Sequence, residues 1–208
     1  DFGCGSCSEE FQLKSQSRSF GSRVLDSAYQ PMVESIFSSS APNFLFLHYL
    51  PVEWRVHNVF IVPRHFLSMS VIERRAPLRP TARRAGWVGC NILLSALPQD
   101  ARIGVVQSGS VRPEEEVRRA WQTFSFLKDA TPESRGWTAD VLACVRELGT
   151  PEFTLAELYR FEPRLSAMHR DNRNVRAKVR QQLQLLRDRG VLDFLGRGSY
   201  RILQPGRI

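Results

Sequence analysis

The chain has 208 residues, 42% hydrophobic and 24% charged, which excludes wholesale disorder and leaves room for one large domain or two smaller ones. A formal net charge of +8 points to a polyanionic partner, nucleic acid ahead of membrane, because the arginines gather in 74–84 and 173–201 without forming an amphipathic anchor. No apolar run approaches the roughly 20 residues that cross a bilayer, which argues against a membrane protein.

The opening Asp1-Phe2-Gly3-Cys4 has neither a methionine nor the basic and apolar regions of a signal peptide, so further sequence is expected upstream. Residues 8–14 alternate as a strand does, with Phe11 and Leu13 on one face and Glu10, Gln12 and Lys14 on the other. From Ser22 to Phe37 the apolar positions Leu25, Tyr29, Met32, Val33 and Ile36 recur at three and four, which predicts a helix bent near Pro31. Two β-rich runs follow, Asn43–Tyr49 and Trp54–Val62, separated by a Pro-containing turn. The stretch 74–89 carries five arginines and two prolines and reads as an extended basic loop. Glu114–Leu127 is a further amphipathic helix.

The segment Thr131-Pro-Glu-Ser-Arg-Gly136 has the punctuation of a linker, so a first domain is expected over 1–130 and a second over 136–208. Trp137–Leu148 reads as a helix with Trp137 in the core. Thr154-Leu-Ala-Glu157 is a capping box opening a second, and a third runs from about Asp171 or Asn172 to Arg189, stopped by Gly190. Strands at Val191–Leu195 and Tyr200–Leu203, joined across Gly196-Arg-Gly-Ser199, complete the pattern of a winged helix.

Three groups of residues carry chemistry. On the third helix Arg173, Arg176, Arg180 and Arg187 lie opposite the apolar face, as in a helix that reads the major groove, where Arg pairs with guanine and Gln181 or Gln184 with adenine. Arg197 in the wing would reach the backbone or minor groove; a solvated charged face on a protein-binding domain is the alternative. Asp1, Gln12 and Lys14 offer oxygen ligands for a divalent cation and an ammonium to offset charge at a phosphodiester, although the same spacing also fits an ordinary surface strand. Cys4 and Cys7 form a CxxC pair open to a zinc, redox or chance reading, whereas Cys90 and Cys144 sit among apolar residues and are read as core thiols.

Five blocks resemble, in the same order, the DpnI-type methyl-directed restriction endonucleases of the Dam-replacing family: Cys7-Ser-Glu-Glu-Phe-Gln-Leu-Lys-Ser15, Pro80-Thr-Ala-Arg-Arg-Ala-Gly-Trp-Val-Gly-Cys-Asn91, Ser134-Arg-Gly-Trp137, Arg180-Gln-Gln-Leu-Gln-Leu-Leu-Arg-Asp188 and Gly196-Arg-Gly-Ser-Tyr-Arg201. The resemblance implies an α/β PD-(D/E)XK nuclease core, a mixed sheet flanked by helices with a zinc knuckle, followed by a small α+β winged helix. It implies cleavage of double-stranded DNA at adenine-methylated GATC, between adenine and thymine, by a monomer in the bacterial cytoplasm. The metal-binding acid falls on Asp1, the second acid on Gln12 and the lysine on Lys14, with Mg²⁺ as catalytic ion. It further implies a structural Zn²⁺ on four cysteines, Cys4 and Cys7 being the second pair. Methyladenine would be read by Trp87, with Arg83 and Arg84 beside it on phosphates or guanine edges. Gln12 departs from the family pattern, either as a natural variant or as an engineered change, and raises the alternative of an inactive methyl-DNA-binding protein.

Overall fold

The strand expected near the amino terminus sits inside a sheet in the computed structural model, which describes residues 1–5 and 8–203. Phe2–Gly3 (β1) pairs antiparallel with Glu10–Gln16 (β2), Phe2 facing Phe11 and Gly3 facing Glu10. Chain-wise next come Arg23–Ala28 (β3) and Tyr29–Phe37 (α1), then the hairpin of Asn43–Leu50 (β4) and Arg55–Val62 (β5). The excursion through β3 and α1 lets β4 return parallel to β2, as a parallel pair requires of its connection. Ile72–Arg74 (β6) and Gly89–Leu93 (β7) flank the basic loop, and Ile103–Gln107 (β8), Ser110–Val111 (β9) and helix Glu114–Thr123 (α2) end the first domain. The result is a mixed six-stranded sheet ordered β1-β2-β4-β5-β8-β9 and a three-stranded antiparallel sheet ordered β3-β7-β6.

The helix predicted over 22–37 is a helix only from Tyr29. Residues 23–28 are a strand because Val24 joins the core opposite Ile92 while Leu25, counted in the helical stripe, is 64% exposed. The true stripe is Met32 and Ile36, four apart and buried. Pro31 lies in the first turn, where no intrahelical N–H is needed, so it bends nothing.

The second domain contains Pro132–Glu147 (α3), Glu152–Thr154 (β10), Leu155–Leu158 (α4), Glu162–Met168 (α5), Val175–Asp188 (α6), Leu192–Gly196 (β11) and Ser199–Ile202 (β12). It is a small helix-turn-helix unit whose three strands order as β10-β12-β11. The capping box forms as read, Glu157 N–H donating to Thr154 Oγ1 and the Glu157 carboxylate accepting from the Thr154 N–H. Val175, Val179, Leu183 and Leu186 are buried, and Gly190 leaves α6 with φ +68°. The helix starts at Val175, later than predicted, because α5 and a turn at Asn172 and Asn174 occupy the preceding residues. Gln182, three residues after Val179 and four before Leu186, lies within the apolar stripe, is buried and accepts from the Thr138 hydroxyl at 2.8 Å.

The expected linker is not one. Thr131 caps α3 and Pro132 takes its first position, so a Thr-Pro pair that resembles a turn opens a helix instead. Arg135 and Gly136 are buried within it. Arg135 donates to the Ile36 carbonyl at 3.2 Å and the Ser39 hydroxyl at 3.0 Å, and Arg146 forms a two-pronged ion pair with Asp100 at 2.5 and 2.7 Å. Asp140 accepts from Ser70 at 2.7 Å and meets His169 at 2.8 Å, and the His169 ring stacks 3.8 Å from Trp137. Helix α3 is therefore shared, and the buried apolar residues of both domains form one continuous cluster. No helix among the described residues is long and apolar enough to cross a membrane. Asp140→Ala leaves Ser70 and His169 without their common acceptor, so it is expected to cost about 2–4 kcal/mol in urea unfolding, with first- and second-domain probes shifting together; a shift confined to one domain would contradict the shared seam.

Candidate functional site

Strand β2 carries two unlike faces. Phe11 packs on its outer side against Trp121, with ring centroids 6.1 Å apart. Gln12 and Lys14 share the other side with their parallel neighbours Phe44 and Phe46, both fully buried, so this polar pair points inward. Continuing the β1–β2 register by one residue sets Asp1 opposite Gln12, and cross-strand partners project to the same face. Gln12 and Lys14 therefore share one face of β2, as their spacing predicted, and Asp1, exposed, immediately precedes β1.

Lys14 runs its stem past Phe44, its ammonium 5.5 Å from the ring centroid, and ends on Asp26 of β3. The Asp26 side chain has no exposed surface and that of Lys14 is 16% exposed, so the pair spans the space between the two sheets. The Cys90 thiol points at the second Asp26 oxygen from 3.9 Å and at the Ser27 carbonyl from 3.4 Å. Burial, and then the Asp26 charge, push that thiol up to about 11, so it stays a neutral donor. Asp26 is the residue sequence reasoning missed. The assignment of 22–37 to a helix hid it, and its only signal was an acid enclosed in Val-Leu-Asp-Ser-Ala.

On the approach to β2 a turn is closed by the Cys4 N–H donating to Glu9 and the Ser8 N–H donating to Cys4, both at 2.9 Å. Cys4 opens that turn, while Cys7, the other half of the predicted pair, lies outside the described residues. Among the described residues no group of three or more His, Cys, Asp or Glu is gathered as a metal cage. Glu9 is instead a structural hub. Burial alone would raise its carboxyl, but the Lys128 ammonium at 2.5 Å, the Asn43 amide at 2.9 Å and the nearby Arg64 hold it below the usual carboxylate range.

The basic loop is an ordered extension of the β6–β7 hairpin, its arms tied by Arg75 N–H to Gly89, Leu78 N–H to Trp87 and Gly86 N–H to Leu78. Trp87 is half-buried, with the Arg84 guanidinium 4.8 Å above its ring. Its indole lies across Gly89, where a Cβ would come within 2.6 Å of the ring, so the glycine is what lets the ring settle there. Arg83 and Arg84 are exposed. Through Cys90, the residue after Gly89, the loop base meets the same Asp26 that holds Lys14.

In the second domain Arg176, Arg180, Gln181 and Gln184 are exposed along α6, Arg187 is half-buried, and Arg173 is exposed just before the helix. Several are already engaged: Arg176 with Glu162 at 2.7 Å, Arg180 with the Tyr159 hydroxyl at 2.8 Å, and both Gln184 and Arg187 with Asp188. Those neighbours from the preceding turn and α5 orient the arginines outward, a feature that spacing on α6 alone could not reveal. Arg197 is exposed at the hairpin tip with φ +50°, between Gly196 and Gly198, which are also left-handed. An inward polar face with an acid, an amide and a lysine, joined to a basic Trp-bearing loop and an arginine helix, is suited to a phosphodiester polymer.

Comparison with known families agrees with this. A profile of the DpnI-type Dam-replacing family matches residues 1–130, and one of the Dam-replacing HTH domain matches residues 133–202. The chain belongs to the Dam-replacing family. That family is one of restriction endonucleases, and its helix-turn-helix domain covers the α3–β12 unit described above. A Dam-replacing HTH domain that binds duplex through α6 should lose affinity for every DNA sequence when Arg180 becomes Ala, and the slope of log K against log salt should fall by about 1. An unchanged slope in a salt titration would take Arg180 off the phosphate backbone.

Proposed function

We propose that the chain is a methyl-directed endonuclease that cuts duplex DNA at adenine-methylated GATC, with a PD-(D/E)XK face on β2 and a winged helix as a second reader of the site. The observation that carries this reading is that Gln12 and Lys14 share the inward face of β2, with Asp1 one residue before the strand β1 that pairs with β2. The Asp1 carboxylate and the Gln12 amide oxygen are hard donors, a set that fits Mg²⁺, an ion held by one or two protein oxygens and completed by water and phosphate. When bound, the ion supplies Lewis-acid stabilisation of the scissile phosphate. Asp1 and Gln12 orient, and Lys14 places its ammonium where charge develops on the phosphate oxygens.

Trp87 offers an apolar ring edge to the N6-methyl group, contact that water cannot match, while Arg83 and Arg84 hold phosphates or guanine edges. In the second domain Arg173, Arg176, Arg180, Gln181, Gln184 and Arg197 form the major-groove and backbone contacts. Cys4 and Cys7, with two further thiols, hold a structural Zn²⁺ in a knuckle, since thiolates suit zinc. The protein acts as a monomer in the bacterial cytoplasm.

Gln12 favours one second reading, a methyl-DNA-binding protein that does not cut, because an amide in place of the acid removes a negative charge from the cation site. Incubation of methylated and unmethylated plasmid with the protein and Mg²⁺ separates the two. Cutting of methylated plasmid alone, abolished by Lys14→Ala at unchanged binding, is the expected result; equal cutting of both plasmids rejects methyl dependence. Binding without cutting, converted to cutting by Gln12→Glu, establishes the reader instead.

A further inference from the structure

Asp26 has no place in the site as assigned so far, yet it is the counter-charge of the one lysine on which cleavage depends. A carboxylate with no exposed surface loses several kcal/mol of hydration unless it is paired and hydrogen-bonded. Its partners are the Lys14 ammonium on one oxygen and the neutral Cys90 thiol near the other. The backbone around it is also irregular. Leu25 faces Asn91 but Ala28 faces Gly89, so one extra residue is inserted at Asp26–Ser27, a bulge in β3 opposite β7. Asp26, two residues after buried Val24, stays on the buried face of β3, and the bulge beside it leaves its carboxylate directed at Lys14 of β2.

We propose that Asp26 is the positioning residue of Lys14: it fixes the ammonium on the inward side of β2 that Lys14 shares with Gln12. The proposal rests on the endonuclease reading for its consequence in cleavage, but the positioning itself is a property of the free protein. Without Asp26 the Lys14 stem still lies along Phe44, but its head has no fixed partner between the sheets. The same residue links chemistry to recognition, since Cys90 joins it to the strand that begins under Trp87.

Two measurements on the full chain test this. In NMR spectra of the lysine ammonium groups, the wild type should show a slowly exchanging signal that Lys14→Met removes, which assigns it, and that Asp26→Asn also removes while the amide spectrum stays folded. In single-turnover cleavage of methylated duplex with Mg²⁺, Asp26→Asn should lower the rate about 10- to 100-fold at saturating DNA, with duplex affinity unchanged, the loss typical of a residue that orients a site residue. In a Lys14→Met background the same change should add nothing. Should the Asn variant fail to fold, Asp26→Glu, which keeps the charge but moves it by one methylene, should retain a slowly exchanging signal and still cut at least about 10-fold more slowly. A protected Lys14 signal that survives Asp26→Asn, or cleavage unchanged in a folded Asp26 variant, overturns the proposal. A wild type that shows the protected signal but cuts nothing overturns the endonuclease reading and leaves the positioning intact.

Discussion

A strand that turns a lysine toward the core must find an anion for it, and that demand organises the first domain. Lys14 lies on the side of the sheet that its parallel neighbours Phe44 and Phe46 bury, and only 16% of its side chain is exposed. The ammonium is therefore answered from the second sheet, by Asp26, and the two sheets are held across a polar contact inside an otherwise apolar layer. Such a contact stabilises little beyond a hydrophobic substitute, since desolvation offsets most of the Coulomb gain. Its persistence is easier to understand as a means of holding a charged head in one place.

Helix α3 imposes a comparable constraint on the whole molecule. Buried Arg135 bonds to the end of α1, Arg146 to Asp100, and Asp140 to Ser70, while Thr138, Trp137 and Asp140 on the same helix face Gln182 and His169 of the second domain. Polar groups on a shared helix, satisfied from both sides, fix the helix-turn-helix unit against the sheet domain more firmly than a loop could. The sheet domain and the helix-turn-helix unit thus belong to a single packed body rather than to beads on a string.

Much of this was legible in the amino-acid sequence. The alternation of 8–14, the hairpin of β4 and β5, the capping box at Thr154 and the apolar stripe of α6 are local patterns, and each is decided by neighbours a few residues away. Where reading failed, a distant partner had decided the outcome. Residues 23–28 are strand because β7 pairs with them, and 131–136 is helix because Thr131 and Pro132 form a cap whose buried turn packs on α1. Asp26 was invisible for the first of these reasons. Gln12 and Lys14 were legible as one strand face, whereas the Glu162 and Tyr159 contacts to α6 required the folded turn.

On the proposed reading a divalent cation sits between the Asp1 carboxylate and the Gln12 amide oxygen. Anomalous diffraction from crystals of the protein with methylated GATC duplex and Mn²⁺ measures this directly. A manganese peak coordinated by Asp1 and the Gln12 amide oxygen, against a phosphate of the duplex, is the predicted result. A peak on the duplex remote from β2, or Asp1 and Gln12 turned apart with the phosphate held by Lys14 alone, would contradict the account.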